Sequence, residues 1–250
     1  MTTPQQDQQP TRIKALVTGG GGFLGRAIVQ RLTARGDAVR TLARGDYPEL
    51  RALGAEARRG DVADPEAVHR AVEGCDVVFH VAAKAGIWGP FEDYYRCNVE
   101  GTRHILDACR AHGVRRLVYT SSPSVVFDGH DVAGVDESAP YARRYETAYP
   151  QTKAEAERLV LAAHGELLAT TALRPHLIWG PGDNHLIPRL IARARAGRLR
   201  RIGRTDHLVD SIYIDNAADA HLLAADRLAL GANSPVGGKA YFLSQGDPWP

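Results

Sequence analysis

Cysteine, methionine and lysine are scarce in this 250-residue chain, and long hydrophobic runs are missing. Its three cysteines, Cys75, Cys97 and Cys109, form no C-x-x-C pair. That excludes a disulfide framework or a zinc ribbon and predicts reduced structural thiols. The ten histidines show no H-E-x-x-H or comparable spacing, so no metal is expected. Residues Met1 to Thr11 (MTTPQQDQQPT) lack an apolar core and read as a disordered tail, not a signal peptide. No apolar stretch approaches the ~20 residues needed to cross a bilayer. A net charge of +2 gives no general attraction to nucleic acid or acidic membranes. A cytoplasmic protein with a small-molecule partner is expected. Of the 31 basic residues only Lys14, Lys84, Lys153 and Lys239 are lysine, so each of these four stands out.

What is present is an alternation. Short β-rich runs occur at Lys14–Thr18, Ala38–Leu42, Ala55–Arg58, Val77–Val81, Arg116–Thr120 and Ala169–Arg174. Their near-continuous apolar character suits strands buried on both faces. Between them, Arg26–Arg35, Pro65–Val72, Asp93–His112 and Gln151–Ala163 carry helical apolar spacing, with Gly36 and Gly113 placed to stop two of them. Repeated βα units predict an α/β, doubly wound parallel sheet. The sheet domain is expected over residues 12–180. Residues 181–250 read as a mixed substrate-binding region whose late sheet elements fall in 209–244: a helix at Leu186–Ala196, a strand at Leu208–Ile214, a helix at Ala217–Leu230 and a strand at Lys239–Ser244. The final Gly246-Asp247-Pro248-Trp249-Pro250 is turn-like, which predicts an incomplete substrate region.

The first strand runs into Thr18-Gly19-Gly20-Gly21-Gly22-Phe23-Leu24-Gly25 and then a helix. A helix N-terminus offers free N–H groups to a phosphate, and glycine lets the backbone come close. Gly20, Gly22 and Gly25 fit G-x-G-x-x-G, and Gly19, Gly22 and Gly25 the looser G-x-x-G-x-x-G. A pyrophosphate is expected there, beside Phe23 and Leu24. The second strand ends Thr41-Leu42-Ala43-Arg44, without the acid that would hold the ribose hydroxyls of NAD. A guanidinium at Arg44 suits a 2′-phosphate, so NADP(H) is preferred, with NAD(H) kept open by Asp46. Asp61 of Gly60-Asp61-Val62 reads either as a partner of the adenine amino group or as a turn aspartate.

Tyr149 and Lys153 lie four residues apart at a helix start (YPQTKAEAE) and share one face. A free phenol titrates near ~10 and is a poor base at neutral pH. A neighbouring ammonium favours the phenolate and prepares it for proton exchange with a substrate oxygen. Nine tyrosines and four lysines give such a spacing by chance about 0.14 times in 250 residues, so the pair is moderately specific. A hydroxyl from Tyr119-Thr120-Ser121-Ser122-Pro123-Ser124, at the carboxyl end of the fifth strand, is expected to donate to the same oxygen.

The segments TGGGGFLG, RGDVAD, FHVAAKAGIWG, NVEGT, YTSSPSVV, YPQTK, LRPHLIWGPGD and YIDNAADAH occur in one order from Ile13 to Gln245. In this the chain resembles the extended short-chain dehydrogenase/reductase family, with its Rossmann-type fold. It is similar to the 3β-hydroxysteroid dehydrogenase branch, and AAKAGIWG, RGDYP and LRPHLIWGPGDNHLIPRLIARARAGRL to bacterial members that reduce 2-alkyl-3-oxoalkanoates in olefin biosynthesis. The resemblance implies Gly19, Gly22 and Gly25 at the pyrophosphate and Asp61 and Val62 at the adenine. It implies Ala82, Ala83 and Lys84, then Pro175 and Leu177, at the nicotinamide. Ser122 is the implied hydroxyl donor, Tyr149 the acid/base and Lys153 the ribose-binding lysine, while Asn98 is given the lesser part of tying a helix to the sheet. The implied activity is NADPH-dependent reduction of a ketone on an apolar substrate to the hydroxy acid. NAD-dependent oxidation of a 3β-hydroxysteroid is the alternative, and a non-catalytic NADP-binding regulator the next.

Three weaker signals remain. Arg189, Arg193, Arg195, Arg198, Arg200, Arg201 and Arg204 form a basic run without interleaved aromatics, which reads as a solvated helix face or an anion site and not as a nucleic-acid surface. Trp88 reads either as cover for an apolar substrate or as loop packing. By analogy with relatives, Asp93–His112 and Gln151–Ala163 would form a homodimer face.

Overall fold

The computed structural model describes residues 12–86, 88–183, 186–200 and 207–250. The expected tail at residues 1–11, and Arg201 and Arg204 of the basic run, lie outside the described residues.

The first half follows the alternation read from the sequence. Strand β1 (Lys14–Thr18) leads to α1 (Phe23–Ala34), β2 (Ala38–Ala43), α2 (Pro48–Ala52), β3 (Glu56–Arg59), α3 (Pro65–Val72) and β4 (Val77–His80). Gly36 and Gly113 follow helix ends at φ +90° and +67°, where a side chain would be strained. The stretch Asp93–His112, expected as one helix, is three pieces: α4 (Phe91–Tyr94), a π-turn (Tyr95–Glu100) and α5 (Gly101–Ala111). A π-turn inserts one residue into a helix without ending it, so apolar spacing runs through it unnoticed.

Strand β5 (Arg116–Thr120), a 3₁₀ turn (Pro123–Val126), α6 (Ala148–Ala162) and β6 (Ala169–Pro175) complete the middle of the fold. Then come β7 (Leu177–Trp179), α7 (Ile187–Arg195), β8 (Ser211–Tyr213), α8 (Ile214–Arg227), a second 3₁₀ segment (Leu228–Asn233) and β9 (Ala240–Leu243). The strand expected to run from Leu208 is only three residues long, and Ile214 opens α8 instead of closing the strand.

Seven strands form one parallel sheet in the order β3-β2-β1-β4-β5-β6-β9, while β7 and β8 make a separate two-stranded ribbon. Alternate residues serve opposite faces. Val17, Phe79, Val118 and Leu173 pack with Ile28 and Leu32 of α1 and Ala217 and Ala225 of α8. Leu16, Val78, Leu117 and Ala172 pack with Val68 of α3, Ile105 of α5 and Val160 of α6. Burying a Leu or Ile side chain contributes about 1.5–3 kcal/mol, so these two layers carry most of the favourable energy. On the surface Arg31 of α1 pairs with Asp215 at 2.8 Å and with Asp219, and Arg35 with Asp226 at 3.0 Å, stitching α1 to α8. The strands run the same way throughout, but the order in which the chain adds them reverses between β1 and β4. In open α/β sheets a crevice opens beyond the carboxyl ends of the strands at that switch point.

Candidate active site

The glycine turn forms one wall of this crevice. Gly19 N–H donates to Leu42 O (2.8 Å) and Gly22 N–H to Gly19 O (2.9 Å), which turns the chain sharply into α1. A Cβ on Gly25 would overlap the Gly19 carbonyl oxygen and lie 2.8 Å from its carbon. A Cβ on Gly22 would meet only the Gly19 oxygen, at 3.2 Å, so space is open above it. The Tyr47 ring covers Gly21, a contact that nothing in RGDYP announced.

A cleft of about 520 Å³ starts at Gly19, Gly22, Phe23, Leu24 and Gly25 and runs past Leu42, Arg44, Asp61, Val62, Ala82, Ala83 and Cys97 to Thr120, Tyr149 and Leu177. A larger hollow of about 870 Å³, lined by Arg12, Arg35, Asp76 and Arg116, lies at the opposite strand ends and holds none of the expected site residues. Arg44 is exposed on the cleft rim, and Arg59 donates to its carbonyl at 3.0 Å. Asp46 is engaged by Arg51 at 2.7 Å. Asp61 accepts from Ala63 N–H at 3.0 Å, as a turn aspartate does, while still facing the cleft. Val62 is buried beneath it, because Gly101 leaves room for its methyl group.

Two expected cleft residues point elsewhere. The Lys84 ammonium turns to Asp93 (2.8 Å) and lies 5.2 Å from the Tyr94 ring centroid, since an exposed carboxylate and an aromatic face are both within its reach. Pro175 closes β6 in a fully buried stretch, and Leu177 and Ile178 line the cleft in its place. Trp88 neither packs its loop nor covers the cleft; it is 88% exposed.

A buried hydrogen-bonded spine fixes the wall formed by the loop after β4. Thr18 Oγ1 accepts from Val81 N–H and Ala82 N–H, both at 3.1 Å, so its own proton goes to His80 Nδ1 at 2.8 Å. His80 Nε2–H then donates to Thr102 Oγ1 (3.0 Å), which donates to Asn98 O (2.6 Å). Asn98, inside the π-turn, accepts from Lys84 N–H (2.8 Å) and donates to Lys84 O (3.1 Å) and Thr152 Oγ1 (3.0 Å). It ties the π-turn to the loop after β4 and to α6, where a link from a helix to the sheet was expected. The one polar residue in the apolar run Val77–Val81 was the available signal for His80.

On the other side of the sheet His221 of α8 donates from Nδ1 to Ala217 O (2.7 Å) and accepts from the Thr120 hydroxyl at Nε2 (2.8 Å). Burial pulls His80 down to about 3 and His221 down to about 4, so both rings are neutral in the native fold. Unfolded imidazoles titrate near 6.5, and below that pH the unfolded chain binds about two protons that the native state refuses. Their contribution to stability is complete above pH 6.5 and is lost as pH falls towards 4. His221→Gln should flatten the pH dependence of the urea midpoint by about one proton between pH 6.5 and 4; an unaltered slope would mean that this ring charges in the folded state.

At the carboxyl end of β5, Ser122 caps the 3₁₀ turn, accepting from Ser124 N–H (3.2 Å), with the Ser124 hydroxyl 2.8 Å away. Burial pushes the pKa of the Tyr149 phenol up, and the neighbouring Ser122 hydroxyl moderates the rise. The sequence suggested a phenol lowered by ammonium, but burial dominates and the hydroxyl stays protonated. Lys153 is only 2% exposed, donates from Nζ to Thr120 O (2.6 Å) and sits 4.1 Å from the Tyr119 ring centroid. Burial pulls it down to about 7 against the opposing pull of Glu157. An ammonium has three donors, so two N–H groups remain for a ligand. The open cradle at Gly22, the elongated cleft and these spare donors fit a dinucleotide, with phosphates at the glycine turn and a ribose at Lys153.

The signature of the 3-beta hydroxysteroid dehydrogenase/isomerase family matches residues 16–250. The chain is 52% identical over 241 residues to a 2-alkyl-3-oxoalkanoate reductase of Shewanella oneidensis, covering 94% of this chain and 62% of that one. It is 54% identical over 240 residues to a protein of the same name from Stenotrophomonas maltophilia, covering 95% and 72%. The chain thus spans less than two thirds of the length of the Shewanella relative. Among solved structures, MoeE5 in complex with UDP-glucose and NAD superposes with a TM-score of 0.79 at 30% identity, over 94% of this chain and 77% of that one. No helix among the described residues is long and apolar enough to cross a membrane. Sheet order, glycine turn and family signature agree, and the chain belongs to the 3-beta hydroxysteroid dehydrogenase/isomerase family.

Proposed function

We propose that this chain carries the cofactor site and the proton-transfer site of an NADPH-dependent reductase acting on a ketone of an apolar substrate, a 2-alkyl-3-oxoalkanoate reduced to the 3-hydroxy acid. The observation that carries the proposal is Tyr149: a buried, protonated phenol on the cleft wall, beside the Ser122 hydroxyl and one helical turn from Lys153. A reduced nicotinamide held at the glycine turn and Lys153 would supply the hydride for the carbonyl carbon. Tyr149 gives its proton to the carbonyl oxygen, and Ser122 donates a hydrogen bond as negative charge grows there. Lys153 holds the ribose and offsets the charge left on the phenol. Reduction needs the phenol in its protonated form at the start, which burial favours.

Two further features support the finer reading. Leu177, Ile178 and Leu186 line the far end of the cleft, and beyond them Trp179, Leu190 and Ile191 are 37–45% exposed, an apolar surface suited to an alkyl chain. The names of the relatives point to the same substrate class. Arg44 on the rim, with Asp46 occupied by Arg51, favours a 2′-phosphate over free ribose hydroxyls. A guanidinium–phosphate contact is worth about 1.5–3 kcal/mol, so Arg44→Asp should weaken NADPH binding about 10- to 100-fold while leaving NADH little changed. Fluorescence titration with both dinucleotides measures this, and an unchanged ratio removes the cofactor argument. Assays of NADPH with a 2-alkyl-3-oxo acid against NAD with a 3β-hydroxysteroid decide between the two substrate classes.

A further inference from the structure

We propose that Glu157 is a positioning residue: the buried counter-charge of Lys153, held one helical turn away on α6 by Arg174 and Tyr141. This rests on the role given to Lys153 above. Glu157 is 0% exposed and Arg174, at the end of β6, 3%. The carboxylate accepts from Arg174 Nε (3.0 Å) and Nη2 (2.6 Å) and from the Tyr141 hydroxyl (2.6 Å). Arg174 Nη1 is buried without a partner, so the guanidinium is aimed by Glu157 itself. A bidentate fork of this kind fixes the carboxylate plane, and the i, i+4 relation sets it beside the Lys153 stem.

An ammonium as deeply buried as Lys153 sheds its proton unless a negative group stands near. The groups facing it come from four elements. They are the Tyr119 ring and Thr120 carbonyl of β5, the Cys97 thiol of the π-turn, the neutral His80 of β4, and Glu157 of its own helix. Only Glu157 is a carboxylate. Its pull opposes burial and leaves Lys153 at about 7, where the ammonium can exist at working pH. Arg174 is a cation on the same carboxylate, so Coulomb's law gives it the opposite sign of effect on Lys153. Neutralising one or the other member of this buried pair is therefore expected to move Lys153 in opposite directions.

That sign difference is testable without dinucleotide or substrate. With only four lysines, protein labelled with ¹³C-lysine gives four Cε signals, and Lys153→Met identifies the fourth. In the wild type the Lys153 signal is expected to titrate near pH 7. Glu157→Gln should lower its midpoint by about one pH unit, a tenfold loss of the charged form at a given pH, and Arg174→Gln should raise it. The alkaline limb of kcat/KM should move the same way in each variant. Midpoints that stay put, or that move together, overturn the assignment. Should one single variant fail to fold, the other still judges the assignment by the sign of its own shift, down for Glu157→Gln and up for Arg174→Gln; an unmoved midpoint in the variant that folds is equally fatal. If Lys153→Met keeps its turnover, the catalytic reading fails, while the Cε titration still judges the counter-charge on its own.

Discussion

With Tyr149 replaced by phenylalanine, kcat is expected to fall by about 10²- to 10⁴-fold while dinucleotide affinity stays within a factor of about two, because a placed general acid contributes that much to proton transfer. The ring is retained, so the packing of α6 against β5 changes little. What disappears is a cleft-wall hydroxyl that burial keeps protonated and that lies beside Ser122. The remaining serine could donate a hydrogen bond to the developing alkoxide but has no proton to spare at neutral pH. Ser122→Ala tests the complementary part. It should lower kcat by up to about 10²–10³, the size of one lost oxyanion donor. It should also cost about 1 kcal/mol of stability, since the same oxygen caps the 3₁₀ turn at Pro123. Single-turnover reduction with preloaded NADPH separates chemistry from binding. Turnover in Tyr149→Phe within tenfold of the parent would remove this residue from the mechanism.

The residues that could be read from the sequence are those whose role depends on local spacing. The glycine turn is legible because Gly19, Gly22 and Gly25 act through backbone geometry within one strand–helix junction. Tyr149 and Lys153 are legible because a helix puts positions four apart on one face. Lys84 and Pro175 were placed at the nicotinamide by the family resemblance, but where a side chain points depends on distant partners. Asp93 captures Lys84, and β9 packs beside the strand that ends in Pro175.

The polar groups that hold the site together left fainter marks still. Thr18, His80, Thr102 and Asn98 make one continuous chain of hydrogen bonds although up to 84 sequence positions separate them. Glu157 and Arg174 look like ordinary charged surface residues of a helix and a strand until tertiary structure buries both. The helix expected at Leu186–Ala196 is present as α7, yet none of its residues is buried. A hydrophobic face in a sequence announces that something is to be covered, and says nothing of what covers it.

Gly25→Ala and Gly22→Ala should fail in different ways, and the difference tests whether the first turn of α1 is a phosphate cradle. At Gly25 the added methyl group is driven into the Gly19 carbonyl, 2.8 Å from its carbon and 3.0 Å from Gly20 Cα. These are backbone atoms, which cannot rotate away, so the helix start must move. Overpacking of this kind costs about 1–3 kcal/mol, and dinucleotide binding should be lost with it. At Gly22 the methyl meets only the Gly19 oxygen, at 3.2 Å, and otherwise enters the open space of the cleft. The fold tolerates that, and the urea midpoint should barely change. Any pyrophosphate seated on the N–H groups of this turn would instead be pushed outward, and NADPH affinity should fall at least about tenfold, because an anion held by helix-terminal N–H groups depends on close approach. Tight NADPH binding by a stable Gly22→Ala protein would mean that the phosphates lie elsewhere, and the cleft past Arg44 and Tyr149 would need a different occupant.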